Sequence, residues 1–205
     1  MPLAALAAAM AAVVLASNVL VQFLLGDWLT WGALTYPLAF LVTDVANRLH
    51  GAAAARRVVL WGFGAGVLAS LVGTQVELEF GPAVTARVAL ASGLAFLAAQ
   101  MLDVAIFARL RDGPWWRAPL ASTALGSALD TALFFTLAFS SLLAFPPAWG
   151  DVGWANDAVP LLGAGPVLPL WASLALADWG VKLLLALLAL APFRALTKNR
   201  AARAM

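Results

Sequence analysis

The chain has 205 residues, of which 64% are hydrophobic and only 11% charged, with a net charge of +2. Soluble domains average about 45–50% apolar and about 25% charged residues, so this much apolar surface exceeds what one soluble core can hide, and a bilayer must be the solvent. The absence of cysteine excludes disulfides, thiolate catalysis and cysteine-held metal, and the basic residues sit in short loops between apolar runs, which signals topology and no nucleic-acid surface.

A spanning helix takes roughly 20 apolar residues. The hydropathy pattern predicts an all-α polytopic membrane protein, one transmembrane domain over 1–205, with six transmembrane helices at about 3–25, 28–46, 57–76, 84–108, 118–145 and 167–191. Helices are required because lipid offers backbone groups no partner outside their own segment. The first run has no Lys or Arg ahead of it and reads as a retained helix rather than a cleaved signal peptide. Turn chemistry marks the breaks at Gly26-Asp27, His50-Gly51, Gly81-Pro82, Asp112-Gly113-Pro114 and Pro146-Pro147. The loop from Pro146 to Pro166 is the longest; its Trp149 and Trp154 fit an interfacial belt or a lid. Gly62, Gly66 and Gly73 allow close helix approach on the third span, and Ala4, Ala8 and Ala12 form a similar small-residue stripe on the first.

One set of helix ends carries Arg48, Arg56, Arg57, Arg109, Arg111, Arg117, Arg194, Lys198, Arg200 and Arg203. The opposite ends carry Asp27, Glu77, Glu79, Asp151 and Asp157. The positive-inside rule places the first set and both termini in the cytoplasm of a bacterial cell, with the protein in the inner membrane.

Asp44, Asp103, Asp130 and Asp178 fall inside the predicted spans, together with Arg87 and Lys182. Each charge at mid-bilayer costs about 2.5–3.5 kcal/mol on insertion scales, and such residues normally face the bundle interior on a solute or proton path. Asp178 and Lys182 stand four apart on one helix face, the arrangement of an internal ion pair. Thr123, Ser127 and Asp130 share a face, as do Gln100 with Asp103 and Asn18 with Gln22. The alternative is that these groups only tie helices together, at about 0.6–2 kcal/mol per hydrogen bond. Asp44 stands near a helix end, where it either serves the site or pairs with Arg48 or Arg109. His50, the lone histidine, reads as a loop residue.

No G-x-x-x-x-G-K-[ST], H-E-x-x-H or G-x-S-x-G stretch occurs. The chain is therefore expected neither to burn ATP nor to act as an enzyme, and neither a metal nor a cofactor is expected. An intramembrane enzyme built on two aspartates is the remote alternative, since Asp103 and Asp130 lack a glycine-flanked setting.

The polar positions sit in segments that resemble one family, the queuosine precursor transporters, also described as vitamin uptake transporters. The resemblance runs through Ser17 to Gln22, Thr30-Trp31-Gly32-Ala33, Tyr36-Pro37 with Phe40 and Thr43-Asp44, then Arg48, Gly51 and Ala55-Arg56-Arg57. It continues in Ala86-Arg87, Gln100 with Leu102-Asp103-Val104, Phe107 to Arg111, Trp115 to Pro119, Ala121 to Thr123, Asp130-Thr131, Phe134-Phe135, and Ala177-Asp178 with Lys182. It departs at Asp112-Gly113-Pro114, where a more basic loop is expected, and at Asn47, which the family does not fix. The resemblance implies six helices and uptake of a 7-deazaguanine, in the 7-cyano or 7-aminomethyl form.

That substrate suits the residues. A guanine-like edge offers N–H donors that a carboxylate accepts in pairs, and aromatic rings offer stacking faces. Asp103 and Asp130 are the expected base readers, with Phe134, Phe135 or Phe107 stacking and Gln100, Ser122, Thr123 and Asn18 meeting the remaining polar atoms. Asp178 with Lys182, Asp44 and Arg87 are expected to form the charge pair or proton relay. The expected partners are the small-molecule substrate and the bilayer, with a homo-oligomer or an ATP-driven energy-coupling complex as possible company. In that complex this chain would be the substrate-binding subunit.

Reporter fusions at residues 53, 113, 155 and 205 test the orientation. A cytoplasmic signal is expected at 53, 113 and 205 and an external one at 155; a cytoplasmic signal at 155 would overturn it.

Overall fold

The computed structural model describes residues 1–21, 23–79 and 81–201. Gln22, Arg203 and the side chain of Arg200, all named above, lie outside the described residues. The helices are α1 (Leu3–Leu20), α2 (Gly32–Thr35), α3 (Leu38–His50), α4 (Ala52–Gly73), α5 (Ala86–Leu110), α6 (Arg117–Phe139) and α7 (Leu170–Ala201). Three two-stranded antiparallel ribbons occupy turns: β1 (Leu24–Leu25) with β2 (Leu29–Thr30), β3 (Glu77–Leu78) with β4 (Gly81–Pro82), and β5 (Ala158–Pro160) with β6 (Val167–Pro169). The chain is thus an all-helical, multi-pass membrane protein.

Five helices, α1, α4, α5, α6 and α7 as far as Lys198, are long and apolar enough to cross a bilayer. The predicted second span at 28–46 is corrected. Residues 24–30 form a ribbon, and the helix that follows is interrupted between Thr35 and Leu38. Pro37 supplies no N–H and its ring crowds the preceding turn, so the backbone crosses the break with the short bonds Ala39 N to Tyr36 O and Phe40 N to Pro37 O. Broken helices at membrane depth persist where protein surrounds them, and α3 is buried along Ala39, Phe40, Thr43, Asp44 and Asn47. The first span ends at Leu20 because the turn at Gly26 (φ 68°) needs the ribbon residues. The fourth helix in chain order, α4, starts one turn early, directly after Gly51 (φ 85°). The predicted span 84–108 runs over Ala86–Leu110, and 118–145 stops at Phe139, before Pro146. The last helix starts at Leu170 and continues through Pro192 to Ala201.

Helix direction alternates along the chain. One end gathers the N-terminus, His50, the 111–116 turn and the C-terminal part of α7. Arg48 donates to the carbonyl of Arg111 at 2.6 Å there, and Arg194 lies over the Trp115 ring. His50 is the last residue of α3 and sits 3.0 Å from the Met1 carbonyl oxygen. The ribbons and the long 140–169 connection lie at the opposite end.

Small residues set the spacing. A Cβ at Gly62 would strike Met10 of α1, and one at Gly66 would press on Val14, so the glycine face of α4 receives α1 as its spacing predicts. Gly126 of α6 seats both Phe40 of α3 and the Ala99–Asp103 turn of α5, each within 3.3 Å of where its Cβ would stand. The Ala4, Ala8, Ala12 stripe remains exposed.

The 140–169 connection is tied to the end of α6. Asn156 donates to the carbonyls of Phe139 and Val152 and accepts from Ser141 N. Trp154 packs edge-on against Phe139, while Trp149 stacks on Phe145; both tryptophans stay partly exposed.

Arg87 has a different role from the charge pair or relay expected of it. Its guanidinium donates to the carbonyls of Leu137 (2.8 Å) and Ser140 (2.6 Å) and lies 4.7 Å from the Phe145 ring centroid. No carboxylate pairs with it among the described residues. It caps α6, whose last carbonyls have no helical donor, and a cation suits the negative end of the helix dipole. Replacing Arg87 by Met should lower stability by about 1–3 kcal/mol, with Arg87→Lys losing less. Thermal melts in detergent check this, and an unchanged melt for Arg87→Met would show that the cap is dispensable.

Candidate functional site

Two polar clusters occupy the core, about two helical turns apart along α6. The first is centred on Lys182 of α7. Its ammonium lies 2.5 Å from Asp178 Oδ2, one turn back on the same helix, and 2.7 Å from Asp130 Oδ2 on α6. It also donates to Thr131 Oγ1 at 3.0 Å, and Thr131 donates onward to Asp178 at 2.8 Å. The remaining Asp130 oxygen lies 3.4 Å from the hydroxyl of Tyr36, at the break between α2 and α3. The Tyr36 ring lies 5.6 Å from the ammonium. The pair expected from the spacing of Asp178 and Lys182 is present, but the lysine bridges two carboxylates from two helices.

The second cluster joins α3, α5 and α6 beside Gly126. Asp44 accepts from Ser122 Oγ (3.0 Å) and Thr123 Oγ1 (3.2 Å). It pairs with neither Arg48 nor Arg109, so the helix-end ion pair considered for it does not form. The Asp103 carboxyl lies against that of Asp44. On α5, Gln100 Oε1 accepts from Thr43 at 2.5 Å, and one turn further Asn47 donates to the Val104 carbonyl at 3.0 Å. These bonds hold α3 and α5 together in the same direction.

The seam between α3 and α5 has a distinctive shortfall of partners. Gln100 Nε2 and both Asp103 oxygens are buried without a hydrogen-bond partner, as are Asn47 Oδ1 and Arg48 Nη2. Leaving a buried donor or acceptor unpaired costs about 1–3 kcal/mol, and such groups persist where another state of the protein or a solute satisfies them. Gln100 and Asp103 are fully buried, so the seam is closed to a solute in this conformation; the crevice on the other side of Asp44, between α3, α6 and α7, has room for about one water molecule.

The structure distributes the expected site residues unevenly. Gln100, Asp103, Ser122 and Thr123 meet at the second cluster, where the two hydroxyls serve Asp44. Asp130 belongs to the lysine cluster, with both oxygens engaged. Phe134 and Phe135 contact each other and Phe139 towards the ribbon end of α6. Phe107 packs edge-on against Phe193, one turn beyond Asp103, beneath the Arg48 guanidinium. Asn18 donates to the Val14 carbonyl and lines a separate crevice with Tyr36 and Phe96. The Phe40 ring lies beside the Asp103 turn across Gly126, and Tyr36 belongs to the lysine cluster. Neither was expected as a site residue, although both share a face with Thr43 and Asp44 at helical spacing.

A family model described as "Putative vitamin uptake transporter" matches residues 30–197. The chain belongs to this family. Membership in it agrees with the helical, multi-pass architecture and with polar groups gathered at the centre of the bundle. A queuosine precursor transporter of Escherichia coli is 39% identical over 141 residues, covering 62% of this chain and 64% of that protein. A probable queuosine precursor transporter of Haemophilus influenzae is 38% identical over 122 residues, covering 54% and 52%. One from Bacillus subtilis, also named a probable queuosine precursor transporter, is 36% identical over 136 residues, covering 57% and 58%. The chain thus spans about half to two thirds of the curated relatives it matches. No solved structure matches significantly.

Lys182 should be the costliest of the charged residues to remove. Lys182→Met strands both carboxylates and should lower stability by roughly 3–5 kcal/mol. Asp178→Asn leaves the 2.7 Å contact to Asp130 in place and should cost clearly less. Melts of the two variants decide the matter, and equal losses would mean that Asp130 contributes nothing to holding the lysine.

Proposed function

We propose that this chain takes up a 7-deazaguanine queuosine precursor, in the 7-cyano or 7-aminomethyl form, across the bacterial inner membrane. The observation that carries the reading is the set of unpartnered atoms on one face of α5: two acceptor oxygens on Asp103 and, three residues earlier, a donor nitrogen on Gln100. A guanine-type edge presents the complement, with N–H donors at N1 and the 2-amino group beside the O6 acceptor. A carboxylate accepting two N–H groups is directional and charge-assisted, while Gln100 Nε2 meets O6. Phe40, beside the same turn across Gly126, offers a ring face to the base. The names of the relatives agree with this solute class.

In this reading Asp130 acts differently from Asp103. Its oxygens are taken by Lys182 and Tyr36, so it fixes α6 to α7 and to the α2–α3 break rather than reading the base. Opening the α3–α5–α6 seam admits the solute, and the interrupted helix at Pro37 supplies the joint. Discontinuous helices near the midplane recur at transporter sites.

Binding of 7-cyano-7-deazaguanine to purified variants tests the assignment. Asp103→Asn turns one acceptor into a donor, and Gln100→Leu removes the O6 donor. Each should weaken affinity roughly 10–100-fold, about 1.4–2.8 kcal/mol, with little change in melting temperature. Wild-type affinity in both variants would remove the seam from the site. Liposomes containing only this chain should take up the base; a strict need for an ATP-driven partner would favour the binding-subunit alternative.

A further inference from the structure

The lysine cluster carries its own countercharge, but the Asp44–Asp103 cluster does not. Asp44 is 2% exposed and Asp103 is 0% exposed, and the two carboxyls lie against each other with no cation in salt-bridge contact among the described residues. On α3 the nearest cation is Arg48, one turn beyond Asp44. Its guanidinium is held by the Arg111 carbonyl and the Phe107 ring; it feels Arg111, Asp112 and, to a smaller degree, Asp44, but forms no salt bridge with Asp44. From α6 the pair receives only the hydroxyls of Ser122 and Thr123, and on α5 only the amide side chain of Gln100 lies on the same face. From α7 the crevice at Asp44 receives Ala186, Ala189, Leu190 and Phe193, while Lys182 is committed to Asp130 and Asp178.

Two adjacent carboxylates buried without a cation cannot both ionise cheaply and titrate as a unit that shares a proton. The hydrogen bonds point the same way independently. Asp44 has two hydroxyl donors, whereas neither Asp103 oxygen has any. Donated hydroxyls favour the ionised form, so without solute the shared proton rests on Asp103 and is donated to Asp44. N–H groups arriving at Asp103 favour its ionised form in turn and pass the proton to Asp44.

We infer that Asp44 and Asp103 hold one proton between them, and that this proton is the coupling ion, crossing on Asp44 while Asp103 accepts the base. The coupling half of this inference rests on the function proposed above. No covalent bond in the solute changes. One proton enters the pair from the outer side, passes to Asp44 as the Asp103 carboxylate engages the N–H groups, and leaves to the inner side with the base. For a neutral base and one proton, accumulation reaches up to about tenfold per unit of pH gradient.

The first test needs no solute. Infrared spectra of the wild-type protein in lipid at neutral pH should show a buried protonated carboxyl that shifts in heavy water. The band should remain in Asp130→Asn and Asp178→Asn and vanish in the double variant Asp44→Asn, Asp103→Asn. Its absence from the wild type, or its persistence in the double variant, overturns the shared proton, and the wild-type result stands even if the variant folds poorly. The second test uses proteoliposomes and 7-cyano-7-deazaguanine. An acid exterior should drive accumulation by the wild type, while Asp44→Asn should only equilibrate the base. Accumulation that survives in Asp44→Asn, or that follows sodium instead of the pH gradient, overturns the coupling role. A wild type that shows the band but neither binds nor moves the base refutes the proposed solute, and with it the coupling, while leaving the shared proton established.

Discussion

Lys182 is the ion on which the packing of this bundle depends. An ammonium taken out of water loses several kcal/mol of hydration, and only close, well-formed partners recover it. Lys182 finds Asp178 on its own helix and Asp130 on α6, and Thr131 completes the shell. Because the partners come from two helices, the rotation of α6 against α7 is fixed. Because Asp130 also meets Tyr36, the break ahead of α3 is anchored to the same ion.

With α6 held in that rotation, Ser122, Thr123 and Gly126 are carried round to α3 and α5. Glycine at 126 lets Phe40 and the Asp103 turn approach together, and the two hydroxyls reach Asp44. The outcome is two polar layers of unlike character. In one, each carboxylate meets a donor and a lysine neutralises part of the charge; the other is short of donors and of cations. A layer whose polar groups are satisfied resists change, whereas one with unpaired groups gains most from a solute or a proton that supplies what is missing. The division between a fixed layer and a responsive one is what a transporter core requires.

Much of this was legible in the sequence, for identifiable reasons. Hydropathy locates five of the six spans, because a spanning helix must be apolar along its length. Helical spacing identifies the contact between Asp178 and Lys182, because residues four apart share a face. Contacts between helices are another matter. Nothing in the spacing says that Lys182 also reaches Asp130, or that Ser122 and Thr123 serve Asp44 rather than a solute. The partners of Arg87 are backbone carbonyls, which carry no residue signature. Phe40 is hidden among other apolar residues until Gly126 brings α6 against it. The break at Pro37 was visible as a proline within an apolar run, but the hydropathy of 28–46 outweighed that single residue.

In the proposed function the donor-poor seam, and not the lysine cluster, receives the solute. The most direct measurement is an experimental structure of the protein in lipid with 7-cyano-7-deazaguanine bound. N1 and the 2-amino group are expected on the Asp103 carboxylate, O6 at Gln100 and the ring beside Phe40, with Lys182 still bridging Asp130 and Asp178. A base seated between Lys182 and Asp130, with the Gln100 and Asp103 atoms still unpaired, would contradict it.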